Sequence, residues 1–236
     1  MRKSKIAEAI KLSTYPIAIL KTNQIPQDAL QVQKGGACVV AFLNAAAQGK
    51  TITFCESSEI CRGGKVGLGF CKLPDAMQYF LSTGNAAIEG EFYKKSPKLA
   101  KAYIDGLPEI TSSPYITFKP YDFLEETEIP KAILFLVNAD QLSGLVTLAN
   151  FDRAKQNHVQ ISFGAGCSQS ILYALNEQEI GGDTCMIGLT DPSARKVIDK
   201  NILSFSIPYH RFLEMEQNVS DSFFVHKTWQ FIYERQ

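Results

Sequence analysis

Ala132-Ile133-Leu134-Phe135-Leu136-Val137-Asn138-Ala139-Asp140-Gln141-Leu142-Ser143-Gly144-Leu145-Val146-Thr147-Leu148-Ala149-Asn150 holds two kinds of periodicity side by side. Ala132 to Val137 is an unbroken apolar run of strand length, whereas Asp140 to Asn150 repeats apolar residues at helical spacing. The same alternation of elements continues in both directions. Upstream, a helix over 4–13 (Ile6, Ala9, Ile10) ends at Tyr15-Pro16 before a short strand, Ile17 to Leu20, and a helix over 38–48 precedes a strand over 51–55. Pro74 suits the first turn of a helix running to about Leu81, and Ser96-Pro97 is an N-cap and first-turn pair for a helix reaching Ile104. Downstream, His158 to Phe163 alternates as a half-buried strand does, and 167–176 is a helix. Ile202 to Ile207 is a strand, Pro208 starts a helix carrying Phe212, and Phe223 to Tyr233 closes the core. Interleaved strands and helices predict an α/β or α+β fold, a mixed sheet with helices packed on it. The chain is expected to form one domain over 1–236. A seam at Thr111-Ser112-Ser113-Pro114 divides it into halves 1–113 and 114–236.

Composition narrows the function classes. The 236 residues are 45% apolar, enough for a sizeable core. Twenty-four basic residues balance 24 acidic ones and are scattered, so no phosphate-tracking patch is present and no nucleic-acid partner is expected. The longest apolar run, Ala37 to Leu43, is seven residues, far below the roughly 20 needed to span a bilayer. Glu8 and Lys11 interrupt the N-terminal stretch, which therefore lacks the apolar segment of a secretory signal. The expected location is the cytoplasm, where thiols stay reduced. There, six cysteines point to metal binding or catalysis rather than to a disulfide scaffold.

Two segments read alike: Gly35-Gly36-Ala37-Cys38 and Gly164-Ala165-Gly166-Cys167, each leading into an apolar helix. A sulfur at a helix N-terminus meets free N–H groups and the positive end of the dipole, which ease its ionisation. Each is followed by a second cysteine near glycine, Cys61-Arg62-Gly63-Gly64 and Cys185-Met186-Ile187-Gly188, expected in loops where backbone N–H groups approach sulfur. Four such thiols match the ligand count of a four-iron (4Fe-4S) iron–sulfur cluster, with Arg62 and Lys65 offsetting its negative charge and Arg195 doing so near Cys185. The gaps, 23 residues from Cys38 to Cys61 and 18 from Cys167 to Cys185, lack the tight C-x-x-C spacing of strong zinc and ferredoxin motifs. Two alternatives stay open: a zinc-containing or metal-free small-ligand-binding domain with structural cysteines, and an enzyme with a cysteine nucleophile paired to His158, His210 or His226. Gly63 to Gly69 has neither the P-loop nor the dinucleotide order of glycines and is too flexible to be a good helix throughout. Glu125-Glu126 and Glu214/Glu216 read as solvated charge. The partners expected are a redox protein or a small-molecule ligand.

Pro16-Ile-Ala-Ile-Leu20, Gly36-Ala-Cys38 to Gly49, Cys61-x-Gly-Gly-x-x-x-Leu-Gly69, the strand and helix from Ile129 to Leu148, Gly166-Cys167-Ser-Gln169, Gly182-x-x-Cys185-x-x-Gly188 and Ser206-Ile-Pro208 occur in this order. Together they resemble the DUF169 family, an uncharacterised group common in anaerobic archaea and bacteria. The resemblance implies that Cys38, Cys61, Cys167 and Cys185 fall on the family's cysteine positions, which look like cluster ligands. It supplies no reaction. The family carries an arginine soon after its fourth cysteine, whereas here Gly188 to Ala194 intervenes before Arg195. Cys55 and Cys71 lie outside the pattern and read as core residues or spare thiols.

Overall fold

The computed structural model describes residues 2–33 and 35–236. It separates into two compact units, Met1–Phe70 with Ile110–Gln236, and Cys71–Glu109.

The larger unit is built on one eight-stranded mixed sheet. In chain order its strands are β1 (Ile17–Thr22), β2 (Leu30–Gln31), β3 (Ile52–Phe54), β4 (Tyr115–Pro120), β5 (Ala132–Val137), β6 (Val159–Gln160), β7 (Cys185–Gly188) and β8 (Leu203–Pro208). Their spatial order is β2-β3-β4-β1-β5-β8-β7-β6. Read outward from the antiparallel β1–β5 pair at the centre, each side runs first, fourth, third, second. The outermost pairs, β2–β3 and β6–β7, are parallel and the inner ones antiparallel. The registers also correspond, since Ile17 faces Pro120 as Ala132 faces Pro208. β4 lies with β1 to β3, so the change from one side of the sheet to the other falls within 121–131, beyond the 113/114 seam.

Helices cover both faces. α1 (Lys5–Ala9), α6 (Ala139–Ala149), α8 (Tyr209–Asn218) and α9 (Lys227–Glu234) lie on one, packed on Ile133, Phe135 and Val137. α2 (Val39–Ala47), α3 (Arg62–Gly67) and a π-helical segment, Ser168–Leu172, that runs into α7 (Tyr173–Ile180) lie on the other, over Leu134 and Leu136. β5 is buried along its whole length, and strand alternation sends its side chains to the two cores in turn. The smaller unit holds α4 (Met77–Phe80) and α5 (Pro97–Asp105).

Local chemistry explains most boundaries. Asn138 and Gln141 form a reciprocal capping box at the start of α6. Ser4 caps α1 through Ala7 N–H, and Ser96 caps α5 with Pro97 in its first turn. Two expectations need correcting. The alternating stretch 158–163 keeps only Val159–Gln160 as strand, and the glycine-rich stretch after Cys61 is helical over Arg62–Gly67. Glycines cost a helix about 1 kcal/mol each relative to alanine. Here they let α3 lie directly against the turn that carries Cys167, where a Cβ on Gly67 would stand 2.9 Å from that of Cys167.

The carboxylates read as solvated charge also have structural partners. Glu216 accepts from Ser4 Oγ and from the N–H groups of Lys5 and Ile6, at the electropositive end of α1. Glu214, with Asp152, takes up the fully buried Arg211. The Arg211 Nη1 donates to Asp152 Oδ2 at 2.9 Å and to Glu214 Oε2 at 2.7 Å, and Nη2 donates to the Ala149 carbonyl at 3.0 Å.

Hydrogen bonds from Arg211 hold the Asp152 carboxyl well below the usual carboxylate range. Its stabilisation is therefore complete at neutral pH and declines as pH falls through the acid range. Urea titrations should show the wild-type stability dropping below about pH 4 and a flatter acid limb for Asp152→Asn. Arg211→Ala should lose about 2 kcal/mol at pH 7 through its lost charge-assisted hydrogen bonds, because Asp152 and Glu214 both keep Arg153.

Candidate functional site

Three of the four cysteines meet. Cys38 is the residue before α2, in extended backbone (φ −69°, ψ 132°), reached through a turn in which Gly36 takes φ +58°. Cys61 is the residue before α3, also extended (φ −59°, ψ 152°). Cys167 opens the turn into the π-helical segment, 5% exposed. Ala37 and Ile60 form an isolated parallel bridge, and the Cys61 N–H donates to the Ala37 carbonyl at 3.3 Å. Cys38 and Cys61 therefore follow one another's bridge partners side by side, close enough for each thiol to shift the other's ionisation. The Cys167 thiol donates to the Gly63 carbonyl at 3.0 Å, and the Gly64 N–H donates to Cys61 Sγ at 3.3 Å.

Glycine makes this approach possible. A Cβ on Gly64 would come 2.6 Å from Val39 Cγ2 and 3.2 Å from Cys61 Sγ, and one on Gly63 would touch Cys167 Sγ at 3.7 Å. Asp191 pins the third segment by accepting from Gly166 N–H at 3.0 Å, and Gln169 spans from the Ser162 carbonyl to Thr190. The turn before Cys167 also packs on α2, since a Cβ on Gly166 would lie 3.4 Å from Val40 Cγ2.

The thiols differ in acidity. The hydrogen bond from Cys38 lowers Cys61 to about 6, helped by the backbone N–H groups of Gly64 and Val39. The same hydrogen bond raises Cys38, with burial adding to it. Burial pushes the Cys167 thiol up to about 12. Near neutral pH the charge of the three therefore rests on Cys61, the exposed one, with Cys38 and Cys167 held in the thiol form.

Cys185 does not join them. It is the first residue of β7, not part of a loop, and is fully buried in the opposite core. There its thiol lies 4.0 Å from Met215 Sδ, and burial raises it to about 12. Gly188, expected to bring backbone toward sulfur, instead admits Gln169 and Ser170 of the π-helical segment, whose atoms would lie 2.9 Å from a Cβ there. Arg195 donates to the carbonyls of Leu189, Asp199, Lys200 and Ile202, and the cations acting on Cys185 are Arg211 and Arg153. Arg62 is exposed at the start of α3. His158 and His210 contact Asp183 Oδ1 at 3.2 Å and Gln178 Oε1 at 3.0 Å, and His226 precedes α9. Cys55 contacts Ser57 and Ser58.

Among the described residues no group of three or more His, Cys, Asp and Glu is arranged to hold a metal ion. The Cys167 thiol donates to the Gly63 carbonyl and Cys61 accepts from the Gly64 N–H instead. A four-cysteine ligand set does not fit, because the sheet separates Cys185 from the rest. A three-cysteine set fits in chemistry: soft sulfur donors, one already ionised, with a backbone N–H aimed at sulfur. No helix among the described residues is long and apolar enough to cross a membrane.

A family model named DUF169 and described as uncharacterised ArCR matches residues 5–218 of the 236. No curated protein and no solved structure matches the chain.

Two measurements test the geometry. In the reduced, metal-free chain, alkylation of Cys61 by iodoacetamide should reach half its maximal rate near pH 6. In Cys38→Ala the midpoint should move up toward the ordinary cysteine value of about 8.5; an unmoved midpoint would remove the pairing. Gly67→Ala should cost about 2 kcal/mol in urea unfolding by forcing α3 off Cys167.

Proposed function

The chain belongs to the DUF169 family, and on that footing we propose an iron–sulfur protein whose cluster is held by Cys38, Cys61 and Cys167, with Cys185 outside the ligand set. One observation carries this reading: three thiols from distant parts of the chain gather on one face of the sheet, against a helix whose glycines admit sulfur at contact distance. Cysteine thiolates are the usual ligands of such clusters, and the positions implied by the family resemblance include all three. A four-iron cluster bound by three thiolates supplies one-electron chemistry and an iron free to bind a small molecule as a Lewis acid.

The chain's own residues set the conditions for loading. Cys61 is the first donor, because it is already ionised near neutral pH. Cys38 must release the proton it donates to Cys61, and Cys167 must give up its bond to the Gly63 carbonyl. Uptake therefore liberates protons and weakens as pH falls. Gly64 N–H keeps its aim at the Cys61 sulfur, where a hydrogen bond lowers electron density and shifts the potential upward. Exposed Arg62 offers positive charge to an anionic small molecule or to an acidic redox partner. A cytoplasmic location suits six free thiols.

A second reading, a cysteine-nucleophile enzyme, is favoured by the thiolate character of Cys61. The two readings separate on iron. Protein produced and purified without oxygen should carry iron and acid-labile sulfide, absorb visible light through thiolate-to-iron charge transfer and give an electron paramagnetic resonance signal on reduction. Cys38→Ser, Cys61→Ser and Cys167→Ser should each lose most of the iron, whereas Cys185→Ala should keep it. Loss of iron in Cys185→Ala alone would overturn the ligand assignment. A colourless wild-type chain with about one zinc or no metal would overturn the cluster.

A further inference from the structure

We propose that Cys38 and Cys61 form a reversible disulfide in the metal-free chain, one that closes the three-thiol site. The bond itself depends only on the geometry of the pair; the closing of the site rests on the cluster reading above.

The backbone sets up the pair. Cys38 and Cys61 each follow a residue of the Ala37–Ile60 parallel bridge, and both continue in extended conformation. The Cys61 N–H to Ala37 carbonyl bond keeps the two chains in register beyond the bridge. Neighbouring strands lie about 4.8 Å apart, and side chains at matched positions of parallel strands leave the same face. That separation lies within the Cα–Cα span a disulfide requires, about 4.4–6.8 Å. The two thiols sit close enough to shift each other's ionisation in opposite directions. Cys61 is exposed, so an external oxidant reaches it, whereas Cys167 is buried and its thiol is engaged by Gly63. Neither Cys38 nor Cys61 needs a large backbone shift, and no other two cysteines follow paired residues in this way among the described residues.

The co-reactant is a small disulfide, RSSR, such as oxidised glutathione. The Cys61 thiolate attacks one sulfur of RSSR, forming a Cys61–S–S–R mixed disulfide and expelling RS⁻. The Cys38 proton passes to that RS⁻, giving RSH. The Cys38 thiolate then attacks the Cys61 sulfur, forming the Cys38–Cys61 bond and releasing a second RS⁻. Two electrons have moved from the protein to RSSR, and one S–S bond has been exchanged for another. Two of the three donors are then unavailable to a metal, so oxidation and loading exclude each other.

The test uses the reduced, metal-free full chain and oxidised glutathione. After trapping with iodoacetamide, peptide mass spectrometry should find Cys38 linked to Cys61 as the main product, with Cys167 and Cys185 alkylated only after unfolding. Cys167→Ser should still form the bond; Cys38→Ser and Cys38→Ala should stop at the glutathione adduct on Cys61. A stable glutathione adduct on Cys61 of the wild type, or a Cys61–Cys167 link, would overturn the proposal. Ferrous iron and sulfide are then offered to both forms. Iron uptake by the reduced form at least tenfold above the oxidised form is expected. Equal uptake would refute site closure while leaving the bond; a mapped bond with no uptake by either form would refute the cluster reading alone.

Discussion

The antiparallel contact between β1 and β5 at the middle of the sheet governs everything else. Antiparallel neighbours are related by a half-turn about an axis normal to the sheet, and a half-turn of that kind leaves each face where it was. Because the strand order repeats on either side of this pair, the connections from β2 to β3 and from β6 to β7 both return over the same face. The first delivers Cys38 at the start of α2, the second Cys167 at the start of the π-helical segment. α2 packs over β1 and β4, α7 over β5 and β8, so the two helices crowd toward the centre rather than the edges. Their leading turns touch, Val40 against Gly166.

A constraint of the opposite sense removes Cys185. Along a strand, side chains alternate between faces, and β7 is held by Val159 opposite Cys185 on one flank and by Met186 opposite Ser206 on the other. That register points Cys185 and Ile187 into the core beneath α8. A shift of one residue would exchange the faces but would break every pair in the register. Cys61 has no such restriction, since it follows β3 at the end of a loop, and the Ala37–Ile60 bridge draws it to Cys38. The resemblance between the two cysteine pairs in the sequence is thus real for Cys38 and Cys167, which occupy corresponding connections, and accidental for Cys61 and Cys185.

Most of the architecture was legible because its signals are local. The apolar run Ala132–Val137, the capping residues Ser96 and Asn138, and the small-residue turns before Cys38 and Cys167 each report on their own few neighbours. What escaped depends on partners far away in the chain. α3 is poor in helix propensity, and its formation depends on packing against Cys167, about a hundred residues on. Cys185-Met186-Ile187-Gly188 is apolar enough to be a strand, yet the glycine favoured a loop reading; it serves close packing on the π-helical segment. Arg211 looks like any surface charge on an amphipathic helix, and only Asp152, 59 residues away, reveals it as buried. The separate compactness of Cys71–Glu109 left no mark that composition displays.

The electrostatics of the three thiols connect their positions to their chemistry. Sulfurs this close cannot all ionise in a partly buried site, because each thiolate raises the cost of the next; Cys167 is pushed up in part by Cys61, and Cys38 by both. The reduced, metal-free site is therefore limited near neutral pH to the one charge that Cys61 carries and Cys38 solvates. Two kinds of event relieve the limit. A multivalent cation cancels the repulsion and lets the remaining protons leave, while a sulfur–sulfur bond removes both the charge and its donor at once. Both act on the same two side chains, so a site built for one is inherently exposed to the other, and the reducing power of its surroundings decides between them.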